Sequence, residues 1–268
     1  MFFFIAVLVF AGLLAGTLAG LFGIGGGLVF VPVLFFVFSA QGCAQDLAMS
    51  LAVSTSLATI LFSSLSSSIS HWKLKNVDAD VLKLWVVPMV LGVVLASQWV
   101  KPQHGNLLIL VFISLLFVVA LRLFIKVDEG RSSAQNALKI AYALPLAFSI
   151  GGISVMAGVG GGALSVPSLI LLGRKAHRAV GTSAVLGLAI TLPSSLLLAL
   201  GSESVSNAPA FTWGQINLAA LLVLAPCSAL MAPLGAKFAQ KLPAQLLTRL
   251  FASCLLTVAA AMLWRYFT

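Results

Sequence analysis

The sequence predicts an all-α protein that crosses a membrane many times, and three observations support this prediction. Of the 268 residues, 61% are apolar and only 8% are charged, against about 25% charged residues in ordinary soluble domains. The uncharged runs are as long as membrane spans, and two of them contain a cluster of glycines. Because a soluble globule must cover its surface with polar groups, the composition excludes a soluble enzyme, a disordered chain and a secreted disulfide scaffold.

The lengths of the uncharged runs predict the order of the helices. A helix needs about 20 apolar residues to cross a hydrocarbon core of about 30 Å. Single spans are therefore predicted at residues 47–70, 84–100, 105–125, 179–202, 214–236 and 246–266. The runs 1–45 and 140–173 are longer, and each is expected to hold one span followed by a short helix, at 28–39 or 163–172. The expected total is about eight full spans plus two glycine-broken half-helices.

The five tryptophans fall beside predicted loops or span ends, where interfacial anchors lie in membrane proteins. They are Trp72, Trp85, Trp99, Trp213 and Trp264. We expect all five near the membrane surface rather than in a packed core.

An internal duplication is the most informative feature of the sequence. Residues 16–34 read GTLAGLFGIGGGLVFVPVL and residues 151–169 read GGISVMAGVGGGALSVPSL. Without a gap, Gly23, Gly25, Gly26, Gly27 and Pro32 fall on Gly158, Gly160, Gly161, Gly162 and Pro167. Downstream, residues 52–56 match 179–183, and Val77-Asp78 resembles Ile216-Asn217. The order of these matches predicts a first transmembrane repeat at 1–125, a cytoplasmic linker at 126–139 and a second repeat at 140–268.

The distribution of basic residues predicts that the two repeats are inverted relative to each other. If each glycine-broken region made one net crossing, the basic residues would divide almost evenly between the two sides. If each region folds back as a hairpin, only Lys101 and Arg265 lie on one side. The other side then carries Lys73, Lys75, Lys83, Arg122, Lys126, Arg131, Lys139, Arg174, Lys175, Arg178, Lys237, Lys241 and Arg249. That bias is typical of a cytoplasmic face, so both termini are predicted outside.

We call the two glycine clusters, residues 23–27 and 158–162, the glycine elbows. Glycine is unfavourable inside a helix by about 1 kcal/mol relative to Ala, so such clusters mark a break or a close contact. A break inside the membrane would leave the N-terminus of a half-helix deep in the protein, with free amides that suit an anion. The alternative is that the glycines only allow helices to pack closely.

Hydroxyl side chains follow each elbow and are the second part of the candidate site. Most of them, including Thr59, Ser63 and Ser67, are expected to bond preceding carbonyls or to join helices. One three-residue segment recurs in both repeats, however, and is predicted to contact the substrate. It is Ser54, Thr55 and Ser56 in the first repeat and Gly181, Thr182 and Ser183 in the second.

Several kinds of chemistry have no candidate residues in the sequence. The three cysteines and three histidines lack metal-ligand spacing, so no metal or other cofactor is predicted. No Walker loop, HExxH or GxSxG motif is present, which argues against an ATP-driven pump and against a hydrolase. All six carboxylates lie in or beside predicted loops. We therefore expect no buried carboxylate, unless Asp46 reaches inward. The protein is not expected to be an enzyme or to bind nucleic acid, and its oligomeric state is left open.

The paired elbows, their trailing prolines and the Ala179-Val180-Gly181-Thr182-Ser183 motif after a basic loop resemble the TauE/SafE sulfite-exporter family. The resemblance implies a multi-pass transporter of the bacterial plasma membrane that exports a small sulfur-containing oxyanion, such as sulfite or an organosulfonate. It also implies that the elbow glycines and their trailing prolines, with Thr55, Ser56, Gly181, Thr182 and Ser183, serve transport. Because proline lacks an amide N–H, Pro32 and Pro167 are expected to kink or break their half-helices. The alternative is a membrane scaffold or accessory subunit that transports nothing.

Overall fold

The computed structural model describes residues 2–22, 26–124, 136–201, 208–238 and 244–267. Within these ranges the chain is almost entirely helical. The helices are α1 (Phe2–Phe22), α2 (Gly27–Ala40), α3 (Gln45–Lys73), α4 (Ala79–Ser97), α5 (Gly105–Phe124), α6 (Asn136–Met156), α7 (Gly162–Leu171), α8 (Ala176–Leu200), α9 (Leu218–Phe238) and α10 (Ala244–Phe267). A 3₁₀ turn at Pro102–His104 precedes α5.

The architecture confirms an all-α membrane protein. Each predicted single span coincides with one long helix, and the two predicted short helices are α2 and α7. By length and composition, five helices in the described ranges are sufficient to cross a membrane, and several shorter apolar helices accompany them. The total of eight spans and the inverted relation of the repeats stay predictions. Helix α6 begins at Asn136, inside the predicted linker, whose earlier residues lie outside the described ranges.

The prediction for residues 214–236 was wrong at its start. A short antiparallel ribbon, β1 (Thr212–Trp213) and β2 (Ile216–Asn217), comes before α9. Gly214, with φ of 58°, forms the turn between the strands. The buried Gln215 side chain accepts a hydrogen bond of 3.1 Å from Ser50 Oγ on α3, so this ribbon is anchored to the helical bundle.

Helices α3 and α8 pack against each other at the centre of the bundle, and α3 is largely buried. Helix α1 packs along α9, and α4 packs along α6. The α1–α9 contacts advance together along both helices, with Gly12 beside Leu224 and Thr17 beside Gly235. The two helices therefore run in the same direction.

One end of the bundle is defined by the start of α3. Gln45 Nε2 donates a hydrogen bond of 2.8 Å to the carbonyl oxygen of Arg265, near the end of α10. Gly105, the first residue of α5, lies against Asp46. We call this the Gln45 end.

The opposite end is defined by the turn between α3 and α4. Asp78 forms an ion pair of 2.8 Å with Arg174, which lies between α7 and α8. Asp78 also begins α4 by accepting a hydrogen bond of 3.2 Å from the Asp80 amide, which satisfies one of the free donors of the first turn. We call this the Asp78 end.

Contacts between the two halves of the chain occur in matching pairs. The Asp78 amide donates to Thr182 Oγ1 at 2.9 Å, and the Asn217 amide donates to Thr55 Oγ1 at 3.0 Å. In the sequence comparison, Thr55 matched Thr182 and Asp78 matched Asn217. The two hydrogen bonds are therefore equivalent, with donor and acceptor exchanged between the halves.

Helix packing is paired in the same way. Gly16 of α1 lies against the backbone of Ser228 on α9, and the matching Gly151 of α6 lies against the backbone of Met89 on α4. A side chain at either glycine would overlap its neighbour, so both positions require glycine for close helix approach.

Four of the five tryptophans lie outside the packed core, as expected, and the prediction was wrong for Trp85. Trp72, Trp99, Trp213 and Trp264 are all more than half exposed, whereas Trp85 is 1% exposed. Position in the sequence placed Trp85 near the start of a span, but its helix face points into the bundle. It is a core residue.

Candidate functional site

Both elbows change the direction of the backbone through a glycine in the left-handed region. Gly26 has φ of 75° and precedes α2, and Gly161 has φ of 75° and precedes α7. L side chains rarely adopt this conformation, so glycine is favoured at both positions. Gly26, Gly161 and the first residues of both helices are buried. Gly23 and Gly25 lie outside the described residues.

Pro32 and Pro167 do not end their helices. Both lie inside α2 and α7, which continue past them. The interruption falls at the glycines that precede each helix.

The two elbows touch each other. A Cβ on Gly27 would lie 2.6 Å from the carbonyl oxygen of Gly158 and 2.8 Å from Val159 Cα. The same Gly158 carbonyl accepts a hydrogen bond of 2.8 Å from Ser56 Oγ. The structure therefore brings Gly27, Ser56 and Gly158, three of the predicted site residues, into one contact.

This contact lies midway between the two ends of the bundle. A Cβ on Gly27 would lie 2.9 Å from Ile60 Cδ1, near the middle of α3. In the other elbow, the carbonyl oxygen of Gly160 lies 3.0 Å from where a Cβ on Gly187 would sit, near the middle of α8. The described residues of both elbows are thus central and buried.

Backbone hydrogen bonding within α7 starts immediately after its elbow. The amides of Leu164 and Ser165 donate to the Gly161 carbonyl at 3.1 and 2.7 Å. Gly162 and Ala163 precede these donors, and the first amides of a helix have no intrahelical acceptor. Helix α2 starts the same way, with bonds from Val29 and Phe30 to Gly26 of 3.0 and 3.1 Å.

Other predicted site residues form hydrogen bonds or backbone contacts with other parts of the chain. Thr55 and Thr182 accept the paired amide hydrogen bonds described above. Ser54 Oγ donates to the Ser50 carbonyl at 2.8 Å. Gly181 lies against the Asn76 backbone, at the Asp78 end. Gly181 and Thr182 lie toward the Asp78 end, whereas Ser54 and Thr55 lie on α3 between Val53 and Ser56, which both contact Gly158.

The expectation that the remaining hydroxyls bond preceding carbonyls is correct for several of them. Thr59, Ser63 and Thr191 each donate to a carbonyl three or four residues earlier, at 2.8, 3.1 and 2.8 Å. Ser67 is different, because its buried Oγ has no hydrogen-bond partner among the described residues.

Two further hydroxyls beside the second elbow were missed by sequence reasoning. Ser154, near the end of α6, is 1% exposed, and Ser165, in the first turn of α7, is 0% exposed. Neither Oγ has a partner among the described residues, and Ser154 Oγ lies 3.7 Å from where a Cβ on Gly161 would sit. The first repeat has Ala19 and Phe30 at the matching positions. The only sequence signal was this difference between otherwise matching segments.

A charged pair was also missed. Asp78 is 6% exposed, although it was expected beside a loop, and it pairs with Arg174. His71, in the last turn of α3, is 7% exposed, and neither of its ring nitrogens has a hydrogen-bond partner in the described structure. Within the described ranges, no group of His, Cys, Asp and Glu is arranged to hold a metal ion.

Comparison with known proteins gives matches over nearly the whole chain. The family model described as Sulfite exporter TauE/SafE matches residues 8–262. The chain is 31% identical over 267 residues to the "Probable membrane transporter protein" of Haemophilus influenzae, covering 98% of this chain and 99% of that protein. It is 23% identical over 183 residues to the "Probable membrane transporter protein YunE" of Bacillus subtilis, covering 62% of this chain and 67% of that protein. No solved structure matches the chain.

The predicted family is confirmed by these matches, which agree with the apolar helical bundle. The relative from Haemophilus influenzae aligns from end to end, so the likeness includes both elbows and the helices around them. The chain belongs to the TauE/SafE family of membrane transporters.

Proposed function

We propose that this protein is a secondary transporter that exports a small sulfur-containing oxyanion, such as sulfite or an organosulfonate, across a bacterial inner membrane. The observation that carries the proposal is the contact, at the centre of the bundle, between the buried start of α2 and the second elbow, which leads into the buried start of α7. The family description names sulfite export, and the substrate class is taken from that description and from the chemistry of the site.

The elbows supply the electrostatics that an oxyanion needs. The start of a helix carries about half a positive charge, and its first amides are free to donate hydrogen bonds. Both α2 and α7 begin in this way at the same depth, away from water. A small anion between them would accept hydrogen bonds from backbone amides without a buried cationic side chain.

The second elbow contributes more than the first. The buried hydroxyls of Ser154 and Ser165 lack partners, and a buried polar group without a partner is rare in proteins. An oxyanion held at the start of α7 would accept hydrogen bonds from both hydroxyls. Because the first repeat has Ala19 and Phe30 at these positions, the site is asymmetric.

We further propose that the two repeats are inverted and that the Asp78 end is cytoplasmic. The paired hydrogen bonds and helix contacts are those that a two-fold axis in the membrane plane produces. Lys73, Lys75 and Arg174 lie near the Asp78 end, whereas Lys101 and Arg265 lie near the Gln45 end. With the basic end inside, the basic loops are cytoplasmic and both termini are outside.

Transport then proceeds by relative movement of the repeats. In the described state the elbows are in direct contact, and the neighbouring cavity has a volume of about 10 Å³, which is room for roughly one water. An anion therefore binds only when the elbows separate. Rocking of one repeat against the other would expose the site to each side in turn, as in other inverted-repeat transporters.

The test uses two serine variants and one matched control in proteoliposomes loaded with sulfite. Ser154→Ala and Ser165→Ala remove the unpartnered hydroxyls without adding volume. Ser168→Ala is the control, because Ser168 Oγ on the same short helix already bonds the Leu164 carbonyl at 2.7 Å. We expect each site variant to lower sulfite efflux about tenfold or more, the effect of losing one hydrogen bond to an anion.

Equal efflux from the site variants and the control would remove the second elbow from the site. The introduced charge of Gly161→Asp should repel the anion and abolish efflux. A wild-type protein that moves no anion, and whose melting temperature is unchanged by sulfite, sulfate, taurine or sulfoacetate, would favour the scaffold alternative. Chemical turnover of any of these compounds would instead favour an enzyme.

A further inference from the structure

A small cavity lies beside the elbow contact, on the side of the Asp78 end. Its volume is about 10 Å³. It is lined by Ser63, Ser64 and Ser67 of α3, by Ser183 of α8, by Gly160 of the second elbow and by two alanines. Four serines thus line a space that adjoins the proposed anion site.

The polar lining continues along one face of α3. Ser63, Ser67 and His71 are four residues apart, so their side chains lie one above the other on the helix. Ser67 is 6% exposed and His71 is 7% exposed, and neither the Ser67 hydroxyl nor either His71 ring nitrogen has a partner among the described residues. Buried polar groups are nearly always hydrogen-bonded, so these groups need a partner such as water or a passing anion.

This face of α3 is long enough to reach from the elbows to the Asp78 end. Ile60 marks the depth of the first elbow, and His71 lies eleven residues further along α3. At 1.5 Å per residue, the face covers about 16 Å, which is half of a hydrocarbon core of about 30 Å. It therefore extends from the elbows to the Asp78 end.

The matching face of the second repeat is closed. By the match of residues 52–56 to 179–183, the counterparts of Ser63, Ser67 and His71 are Ile190, Ser194 and Leu198. Ile190 and Leu198 are buried apolar residues, and Ile190 occupies the space beside Gly161. Ser194 Oγ donates to the Ile190 carbonyl at 2.7 Å. On the Gln45 side, the three matching positions therefore hold two apolar side chains and one hydroxyl that is already bonded.

We propose that the Ser63–Ser67–His71 face of α3, with Ser183 opposite it, is the route by which the anion moves between the elbows and the Asp78 end. The inference rests on the proposed function. The hydroxyls and the imidazole exchange hydrogen bonds with a partly hydrated oxyanion along the route. In the described state this half of the pathway is lined for an anion, while Ile190 and Leu198 shut the other half.

The first test measures access of a charged thiol reagent in membrane vesicles. Cys43, Cys227 and Cys254 are replaced by Ala, and Ser67→Cys is compared with Ser66→Cys. Ser66 is the control on the same turn of α3, because its Oγ donates to the Ala229 carbonyl of α9 at 3.1 Å, away from the cavity. A negatively charged methanethiosulfonate added from the Asp78 side should modify Ser67→Cys about tenfold faster than Ser66→Cys, and sulfite should slow that reaction.

The second test measures sulfite efflux from proteoliposomes. Ser67→Ala should lower efflux about tenfold or more, since one hydrogen bond to the anion is lost, and Ser66→Ala should not. Ser63→Cys gives the same access readout one turn deeper if Ser67→Cys does not fold.

The outcomes separate this inference from the proposed function. If wild-type protein transports sulfite while Ser67→Ala transports equally well and neither cysteine variant reacts faster than the control, the route is wrong and the elbow site stands. If wild-type protein transports no anion, both proposals fail.

Discussion

Substitution of Gly27 by Ala tests the contact between the elbows with the smallest possible change. The added Cβ would lie 2.6 Å from the Gly158 carbonyl oxygen and 2.9 Å from Ile60 Cδ1. The Ile60 side chain can rotate away, but the Gly158 carbonyl is backbone and is held by Ser56 Oγ at 2.8 Å. The two elbows must therefore move apart by several tenths of an ångström.

The expected loss of stability is that of an overpacked core, about 1 to 3 kcal/mol. Replacing Gly by Ala favours a helix by up to about 1 kcal/mol in its interior, but Gly27 is the first residue of α2, where this gain is small. Sulfite efflux should fall about tenfold or more, because moving the elbows apart weakens anion binding. A loss of about 1.4 kcal/mol of binding free energy already lowers the affinity tenfold.

The control for this prediction is Gly152→Ala in α6. The atoms nearest to a Cβ at this position, in Ala96 and Gly92, are 3.6 Å away, which is an ordinary contact distance. This variant should melt at the same temperature as wild type or higher, and should transport normally. Thermal unfolding in detergent and efflux from proteoliposomes measure both effects. If Gly27→Ala melts and transports like Gly152→Ala, the elbows do not form the contact described.

Three further predictions concern other contacts. Arg174→Gln leaves the buried Asp78 carboxylate unpaired and should lower the free energy of unfolding by more than the ~1 kcal/mol of a surface ion pair, measured by thermal unfolding. Thr55→Val and Thr182→Val each remove the acceptor of one paired amide and should destabilise the protein by a similar amount, about 1 to 3 kcal/mol, in the same assay. Burial raises the pKa of the Cys43 thiol. Its alkylation rate, measured against pH, should therefore still increase above about 8.5, the usual pKa of a free thiol.

Each of these predictions has its own control. Adding Asp78→Asn to Arg174→Gln removes the unpaired charge and should recover stability; no recovery would contradict the pairing. Unequal effects of the two threonine variants would contradict the equivalence of their hydrogen bonds. Cys43 in the denatured protein should titrate at the ordinary thiol pKa, and identical profiles in the two states would contradict its burial.

The positions of the helices could be predicted because hydropathy and chain length determine them directly. The apolar runs at 28–39 and 163–172 became α2 and α7 almost to the residue. The elbows were predictable for the same local reason, since clustered glycine cannot continue a helix cheaply. The short ribbon before α9 was missed because each strand has only two residues, which lie inside a long uncharged run.

The contacts of the site could not be predicted, because they depend on which face of each helix meets another part of the chain. Trp85 and Asp78 lie near the start of α4 and were expected at the surface, but both are buried by elements distant in sequence. Ser154 and Ser165 looked like ordinary helix hydroxyls, and only the fold shows that they lie unpaired beside Gly161. Conversely, Thr55 and Thr182 recur in both repeats because they join the repeats, which repetition alone does not distinguish from substrate binding.

The central claim is that the buried starts of α2 and α7 bind an oxyanion through their amides. Anomalous X-ray scattering from selenite, a heavier analogue of sulfite, locates such an anion directly in crystals of the protein. We expect one strong selenium peak between the elbows, at a position that puts selenite oxygens within about 3 Å of backbone amide nitrogens at the start of a half-helix, and its loss in Gly161→Asp. Selenite bound only at the basic loops of the Asp78 end, with none between the elbows, would contradict it.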